Sequence, residues 1–187
     1  MRLFVALEIP SEVRENLTAM LESLRAISKD LRWMRPGNLH VTLKFLGEVP
    51  ETKLDAARTA LAEIRSEQPV TLEFRGLGFF PNEKHPRVFW AAIEASKNLI
   101  KLAVDIEGAM ENLGIPREQR PFSPHLTLAR FERPGLSDKL RSAIAKNAQR
   151  DFGTLRTHEF QLIQSKLKPS GAEYTTLASF PFAVVGA

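Results

Sequence analysis

Two stretches of this chain share one pattern: Arg35-Pro36-Gly37-Asn38-Leu39-His40-Val41-Thr42-Leu43 and Arg120-Pro121-Phe122-Ser123-Pro124-His125-Leu126-Thr127-Leu128. Arg, Pro, His, Thr and Leu occupy matching places in both copies, and 85 residues separate the two histidines (125 − 40). The chain has four histidines, so two of them hold equivalent places. The duplication predicts a site with two similar halves, which suits a reaction that removes one proton and delivers another.

Each His-x-Thr unit is expected to lie on a strand, where residues i and i+2 point to the same face. His40 then shares a face with Thr42, and His125 shares one with Thr127. An imidazole titrates near ~6.5 and serves as acid or base near neutrality, and a threonine hydroxyl donates to an oxyanion. Two such pairs around one anion would hold it and supply both proton transfers without a metal ion. A phosphodiester is the expected anion, with in-line displacement at phosphorus.

Two cations lie close to the motifs in sequence. Under strict alternation Lys44 shares the face of His40 and Thr42, where it would help to hold an anion or would be a solvated charge at the strand end. Arg130 falls on the face opposite His125, so it reaches the site only if the strand bends or ends there.

Other candidate residues have a structural interpretation that we favour. The pairs Arg35-Pro36 and Arg120-Pro121 either contact phosphate or form turns at the strand entrances, and turns are the safer interpretation. His85 and His158 stand in polar stretches and are expected to be solvated. Four aromatic residues would line a base-stacking wall or, as we favour, belong to the core: Phe79, Phe80, Trp90 and Phe122.

Rival classes of site find little support. A lone histidine on a strand usually has no catalytic role, but its duplication together with threonine favours one. A metal site is disfavoured because each strand offers one good ligand and the chain has no His-Glu-x-x-His or Asp-x-Asp pattern. A Ser-His-Asp hydrolase is disfavoured because no Gly-x-Ser-x-Gly occurs.

Composition sets broader limits. The 187 residues, 43% hydrophobic and 26% charged, are enough for one domain or two small lobes with a core that needs neither disulfides nor metal. The absence of cysteine excludes a thiol nucleophile, a cysteine zinc site and disulfides. An excess of 26 basic over 22 acidic residues suits an anionic partner such as RNA or a nucleotide. With no signal peptide and no apolar run of ~20 residues, we expect a soluble cytoplasmic protein.

Hydrophobic periodicity and turn residues predict the order of elements. Strands are predicted at 2–9, 31–35, 39–46, 70–77, 87–95, 125–131, 160–167 and 174–184, and helices at 11–28, 51–66, 97–113 and 136–148. Ser11 is predicted to cap the first helix, and Gly47 to end the first motif strand. This order is typical of an α+β protein with largely antiparallel pairing. We expect a single domain over residues 1–187, with two similar lobes that face each other across a cleft.

The two motifs resemble those of a known family. Asn38-Leu39-His40-Val41-Thr42-Leu43-Lys44-Phe45-Leu46-Gly47 and Pro124-His125-Leu126-Thr127-Leu128-Ala129-Arg130 are similar to the paired His-x-Thr-x motifs of the two-histidine phosphoesterases. The branch they resemble is that of the bacterial and archaeal RNA 2′,3′-cyclic phosphodiesterases, the LigT-like proteins also called 2′-5′ RNA ligases. The likeness covers nearly the whole chain and is weakest over residues 135–157.

The resemblance implies a bilobal α+β fold, with two antiparallel-sheet lobes, outer helices and pseudo-two-fold symmetry around a central cleft. It implies metal-free, cofactor-free hydrolysis of an RNA 2′,3′-cyclic phosphate to a 2′-phosphate, and weak reverse ligation of 2′-phosphate and 5′-hydroxyl ends. By analogy His40 is the general acid and His125 the general base, although the near-symmetry of the motifs does not fix this order. Thr42 and Thr127 would bind phosphate oxygens, and Arg130 would add charge stabilisation. The protein is expected to act as a monomer.

Two alternatives stay open at this point. The same pair of histidines would serve a phosphodiesterase that acts on a small cyclic nucleotide or on ADP-ribose cyclic phosphate. A binding module for RNA ends without catalysis is the other alternative. The paired histidines argue against the binding module, because arginine or lysine would serve binding alone.

Overall fold

The computed structural model describes residues 1–133 and 135–184, which form nine strands and four α-helices. The helices are α1 Ser11–Ile27, α2 Leu54–Ala62, α3 Asn98–Glu111 and α4 Asp138–Ala145. The strands are β1 Arg2–Glu8, β2 Arg32–Trp33, β3 His40–Glu48, β4 Val70–Phe80, β5 Val88–Ala95, β6 His125–Arg130, β7 Asp151–Thr157, β8 Glu159–Lys168 and β9 Gly171–Pro181.

These strands form two antiparallel sheets. One has four strands in the order β3-β1-β8-β9, and the other has five in the order β2-β6-β5-β4-β7. Strand β3 lies at the edge of the four-stranded sheet and contacts β6 of the five-stranded sheet. The sheets therefore meet at the two strands that carry the repeated motif. The predicted α+β class with two antiparallel-sheet lobes is confirmed.

Strand β1 is apolar on both faces because it lies inside its sheet. Leu3, Val5 and Leu7 join the main core. Phe4 and Ala6 belong to a smaller cluster on the opposite face, which includes Ile163 of β8. The first face packs under the helices, which leaves the second face available for a site.

The helices cover the outer faces of the sheets and bury apolar stripes at helical spacing. Helix α1 contacts β7, and α3 contacts β3 and β4. One core unites side chains of both sheets, such as Val41 and Phe74. The prediction of a single domain over residues 1–187 stays a prediction, and residues 134 and 185–187 lie outside the described residues. Within the described ranges no helix is long and apolar enough to cross a membrane.

Strand β7 is not predicted by the sequence pattern, because its buried side chains do not alternate. Phe152 and Leu155 are buried three residues apart. The pairing with β4 skips Phe152, and the next residue, Gly153, has a φ of +113°. This β-bulge adds one residue to the strand and breaks the period of two on which strand prediction depends.

Several predicted boundaries are wrong, and the structure gives a reason for three of them. Ser11 is the first helical residue of α1 and makes no cap hydrogen bond, because Pro10 holds the N-cap position. Strand β3 continues past Gly47, whose φ of +70° suits a glycine at a bulge. Helix α2 ends at Ala62 rather than Ser66, since the Ser66 amide leaves the helical path to donate to the Phe182 carbonyl.

Candidate active site

Both motif strands carry a β-bulge immediately after the threonine. The pairing of β3 with β1 skips Leu43, and the pairing of β6 with β5 skips Leu128. These leucines are 85 residues apart, like the histidines (128 − 43). A bulge shifts the alternation of faces by one residue, so the side chains beyond it change sides. The two halves therefore share a backbone irregularity as well as a sequence.

The bulge in β3 overturns the prediction for Lys44. Lys44 is 1% exposed and points into the protein, where its Nζ donates to the Glu107 carboxylate at 2.8 Å and to the Pro116 carbonyl at 2.9 Å. Phe45 takes its place on the face of His40 and is 54% exposed. Strict alternation fails here because the extra residue moves each following side chain to the other face of the strand.

The bulge in β6 brings Arg130 onto the face of the site, whereas the bulge in β3 takes Lys44 away from it. Leu128 and Ala129 are both buried, and Arg130 is exposed on the side of His125 and Thr127. The positive charge of Arg130 also acts on Tyr174 of β9, in the other sheet. The bulge therefore provides the bend that Arg130 needs in order to reach the site. Arg130 faces the space between the sheets. Phe45 and Arg130 hold equivalent places in the two halves (130 − 45 = 85).

His40 is held between aromatic rings of its own sheet. Its ring centroid is 6.3 Å from that of Phe4 and 5.9 Å from that of Tyr174. Its Nδ1 is buried and has no hydrogen-bond partner among the described residues. Burial lowers the pKa of His40, and the Arg14 charge adds to this effect. The Asn38 backbone, which approaches the ring without reaching hydrogen-bond geometry, and the Glu8 carboxylate oppose it.

His125 is fixed by a hydrogen bond as well as by rings. Its Nδ1 lies 2.8 Å from the Ser123 carbonyl. A carbonyl only accepts, so Nδ1 carries the proton, and Nε2 of the neutral ring is left as an acceptor. The ring is perpendicular to Phe80 at 5.0 Å between centroids, and Trp90 lies 6.5 Å away.

Gly78 makes room for the Trp90 ring. The two residues pair across β4 and β5, and a Cβ at position 78 would lie 2.2 Å from the indole. Trp90 in turn packs against Phe80, with 5.0 Å between centroids. A glycine on β4 thus allows two aromatic rings to border His125.

The remaining site groups are the two threonines. Thr42 and Thr127 are half-buried and pair with Ala6 and Trp90. The turn interpretation is confirmed before the first motif, where Pro36–Asn38 form a single 3₁₀ turn. There the Arg14 guanidinium donates to the Pro36 carbonyl, and the Asn38 amide donates to the Ala172 carbonyl at 2.9 Å.

Other candidates lie elsewhere. Phe79 stacks on Phe89 with 5.3 Å between centroids, and Phe122 packs against the main core, as expected of core residues. His85 is exposed in the loop after β4, and His158 is half-buried between β7 and β8. Among the described residues, no three His, Cys, Asp or Glu side chains are grouped so that they could hold a metal ion.

Sequence reasoning missed several residues that border His40. Phe4 and Tyr174 touch its ring, and Glu8 is its partner in the β1–β3 register. Their strands are far apart in sequence, so no local pattern marks them. Phe45 could have been found by applying the 85-residue offset to Arg130.

The chain matches the protein family described as LigT like Phosphoesterase at residues 7–90 and 92–174. The matched segments begin 85 residues apart (92 − 7), and each contains one motif. Among the similar proteins is one from Archaeoglobus fulgidus named RNA 2′,3′-cyclic phosphodiesterase. It is 37% identical over 182 residues, which cover 96% of this chain and 99% of that protein.

Solved structures share the same architecture. A crystal structure of a Thermus thermophilus protein superposes with a TM-score of 0.82 at 35% identity and covers 97% of this chain and 98% of that one. Escherichia coli LigT, crystallised in complex with 3′-AMP, gives a TM-score of 0.76 at 29% identity and 97% coverage of both chains.

Proposed function

Because the chain belongs to the LigT-like phosphoesterase family, we propose that it is a phosphodiesterase that hydrolyses the 2′,3′-cyclic phosphate at an RNA end to a 2′-phosphate. One observation carries the proposal: two bulged His-x-Thr strands, one from each sheet, contact each other. The names of the relatives support the same substrate class. Two imidazoles on facing strands suit a reaction in which one group accepts a proton and the other donates one.

The proposed reaction is an in-line displacement by water. His125 Nε2 accepts a proton from water as the oxygen attacks phosphorus, and the P–O3′ bond breaks. His40 gives its proton to the leaving O3′, which yields a 3′-hydroxyl and a 2′-phosphate. Proton exchange with solvent then restores both rings.

The surroundings of His125 support its role as the base. The Ser123 carbonyl holds the Nδ1 proton of His125 and leaves Nε2 free to act as a base. Burial lowers the pKa of His40 and so disfavours the protonated ring that must give its proton to O3′. A bound phosphate anion favours the protonated ring before that step.

Three further side chains bind the phosphate in this proposal. The hydroxyl groups of Thr42 and Thr127 donate to non-bridging oxygens from opposite sides. Arg130 pairs with the same oxygens, where its planar guanidinium makes two parallel hydrogen bonds. Phe45, exposed at the equivalent place in the other half, offers a face on which the terminal base can stack, at about 1–3 kcal/mol per base.

The proposed chemistry requires no metal ion, since the histidines move the protons and Arg130 neutralises charge. The proposal includes a weak 2′-5′ ligation by the same geometry. A 5′-hydroxyl in the place of water would attack the cyclic phosphate and leave a 2′-5′ linkage. Both halves of the site come from one chain, so we propose that a monomer is sufficient.

The test is hydrolysis of a short RNA that ends in a 2′,3′-cyclic phosphate, in the presence of EDTA, with 2′- and 3′-phosphate products resolved. Turnover to the 2′-phosphate is the expected result. If the protein hydrolyses only a small cyclic nucleotide, its substrate is that nucleotide and not an RNA end. Binding without turnover, unchanged after loss of both histidines, would contradict the enzymatic proposal.

A further inference from the structure

One cation on β1 has no part in the mechanism above. Strand β1 pairs with β8 without a break from Arg2 to Ala6, so its side chains alternate regularly between the two faces. Leu3 and Val5 enter the main core, and Phe4 and Ala6 lie on the face that carries His40. Arg2 is two residues before Phe4, so its side chain points to the same face. It therefore projects from the site face at the outer end of the strand, where it is exposed.

Tyr174 borders the site, and the charge of Arg2 acts on it. Its ring lies 4.9 Å from Phe4 and 5.9 Å from His40, between centroids. Burial raises the pKa of the Tyr174 hydroxyl, and the positive charges of Arg130 and Arg2 both oppose that rise. Two guanidinium groups thus act on one hydroxyl beside His40. Arg130 does so from the five-stranded sheet and Arg2 from the four-stranded sheet.

Arg2 has no ion-pair partner within residues 1–133 and 135–184. Glu48 stands opposite it in the β1–β3 register, but that carboxylate lies 3.5 Å from the N-terminal amino group. On the other side Arg2 pairs with Ser165, so the next residue, Lys166, points to the opposite face. An arginine without an ion-pair partner among the described residues, at the rim of an anion site, suits a second anionic group.

We propose that Arg2 binds the phosphodiester on the 5′ side of the terminal nucleotide, while Arg130 binds the cyclic phosphate. The inference rests on the proposed function and deepens it by adding a second phosphate position. Every RNA end of two or more nucleotides carries that second phosphate, and a nucleoside 2′,3′-cyclic phosphate lacks it. Arg2 thus selects RNA over small cyclic nucleotides, whatever the base sequence, because phosphate contacts carry no sequence information.

The experiment compares three substrates that each end in a 2′,3′-cyclic phosphate. They are a dinucleotide, the same dinucleotide with an uncharged methylphosphonate linkage, and the nucleoside alone. We expect Arg2→Gln to lower kcat/KM for the charged dinucleotide by about 10-fold, as for the loss of a charge-assisted hydrogen bond. The other two substrates should change by less than about 2-fold. The salt dependence for the charged dinucleotide should fall by about 0.7 in log–log slope, the value for one phosphate contact.

Lys166→Gln is the matched control, since it removes the same charge from the neighbouring strand on the opposite face. It should leave the preference for the charged linkage intact, and an effect equal to that of Arg2→Gln would contradict a specific contact. Activity on the nucleoside substrate shows that Arg2→Gln is folded. The inference is overturned if Arg2→Gln lowers all three activities equally or keeps the preference for the charged linkage. If the wild-type protein turns over none of the three, the proposed function itself is contradicted, and the inference falls with it.

Discussion

The two imidazoles are fixed by different interactions although their motifs match. His125 donates its Nδ1 proton to the Ser123 carbonyl, and His40 is buried between Phe4 and Tyr174. The nearly symmetric motifs therefore hold their imidazoles in different surroundings, as suits a reaction with one acid and one base.

Loss of either imidazole should stop the reaction without unfolding the protein. We expect His40→Ala and His125→Ala each to lower kcat by about 10²- to 10⁴-fold, the usual contribution of a general acid or base. Both side chains are half-buried, so the fold should persist, which circular dichroism can check. His85→Ala is the control, because His85 is exposed in the loop after β4. Full activity in either site variant would contradict the assignment.

The titration of His40 should show the effect of its burial. Because burial lowers the pKa of His40, its NMR midpoint should fall below the ordinary value of about 6.5. The folded protein then disfavours the charged ring. Its stability should therefore fall as the pH drops from about 6.5 through that midpoint. Tyr174→Ala exposes the ring and should raise the midpoint, whereas Tyr174→Phe keeps the ring covered. A midpoint above 6.5 in the wild-type protein would disprove this prediction.

Among the secondary-structure elements, other strands of the same sheet hold the rings that border each histidine. Strands β4 and β5 supply Phe80 and Trp90 to His125, and β1 and β9 supply Phe4 and Tyr174 to His40. Cross-strand neighbours therefore determine the position of each imidazole as much as its own motif does.

Gly78→Ala should disturb the site through Trp90. The added Cβ would lie 2.2 Å from the indole, so the ring that borders His125 must move. We expect kcat to fall by about 10-fold or more, because small displacements of a catalytic group are costly. Steady-state kinetics and the ring NMR signal of His125 provide the measurement. Gly37→Ala, which meets nothing within 4 Å, should behave like the wild-type protein. An unaltered kcat in Gly78→Ala would rule out this role for the glycine.

Lys44 connects β3 by hydrogen bonds to helix α3 and to the segment before the second motif. Its buried ammonium bonds to the Glu107 carboxylate and the Pro116 carbonyl. Lys44→Ala leaves Glu107 without its partner and should lower the free energy of unfolding by about 3 kcal/mol, measured by urea unfolding. Lys101→Ala removes an exposed partner of Asp105 and should change it by less than about 1 kcal/mol. Equal effects of the two substitutions would contradict the structural role of Lys44.

Across the whole molecule, the site exists because β3, at the edge of the four-stranded sheet, meets β6, the second strand of the five-stranded sheet. Each sheet contributes one histidine and one threonine through equivalent bulged strands. A phosphate held between β3 and β6 should therefore connect the two lobes.

A product that binds both lobes should stabilise the folded chain. At 100 times its Kd, a nucleoside 2′-phosphate should add about 2.7 kcal/mol to the free energy of unfolding, which appears as a higher Tm. Thr42→Val and Thr127→Val, matched by the repeat, should each reduce this shift. The nucleoside without phosphate should give a smaller shift in all three proteins. A shift that depends on only one threonine would show that the ligand binds a single lobe.

The sequence by itself determined the α+β class, most of the elements and the paired His-x-Thr strands. Helical spacing, strand alternation and an 85-residue repeat are local or periodic signals, and they survive in a single chain. The same signals failed wherever a bulge broke the period of two: at Lys44, at Arg130 and along β7.

Only the tertiary structure decided the surroundings of the histidines. Phe4, Glu8 and Tyr174 reach His40 through pairings between strands that are far apart in sequence, as Arg2 reaches the rim of the site through β1 and β8. Burial lowers the pKa of His40, the Arg14 charge adds to this effect, and the Glu8 carboxylate opposes it. The repeat therefore placed two similar imidazoles in the chain, and the packing of the sheets gave each ring its own neighbours, because strand pairing decides which distant side chains meet in space.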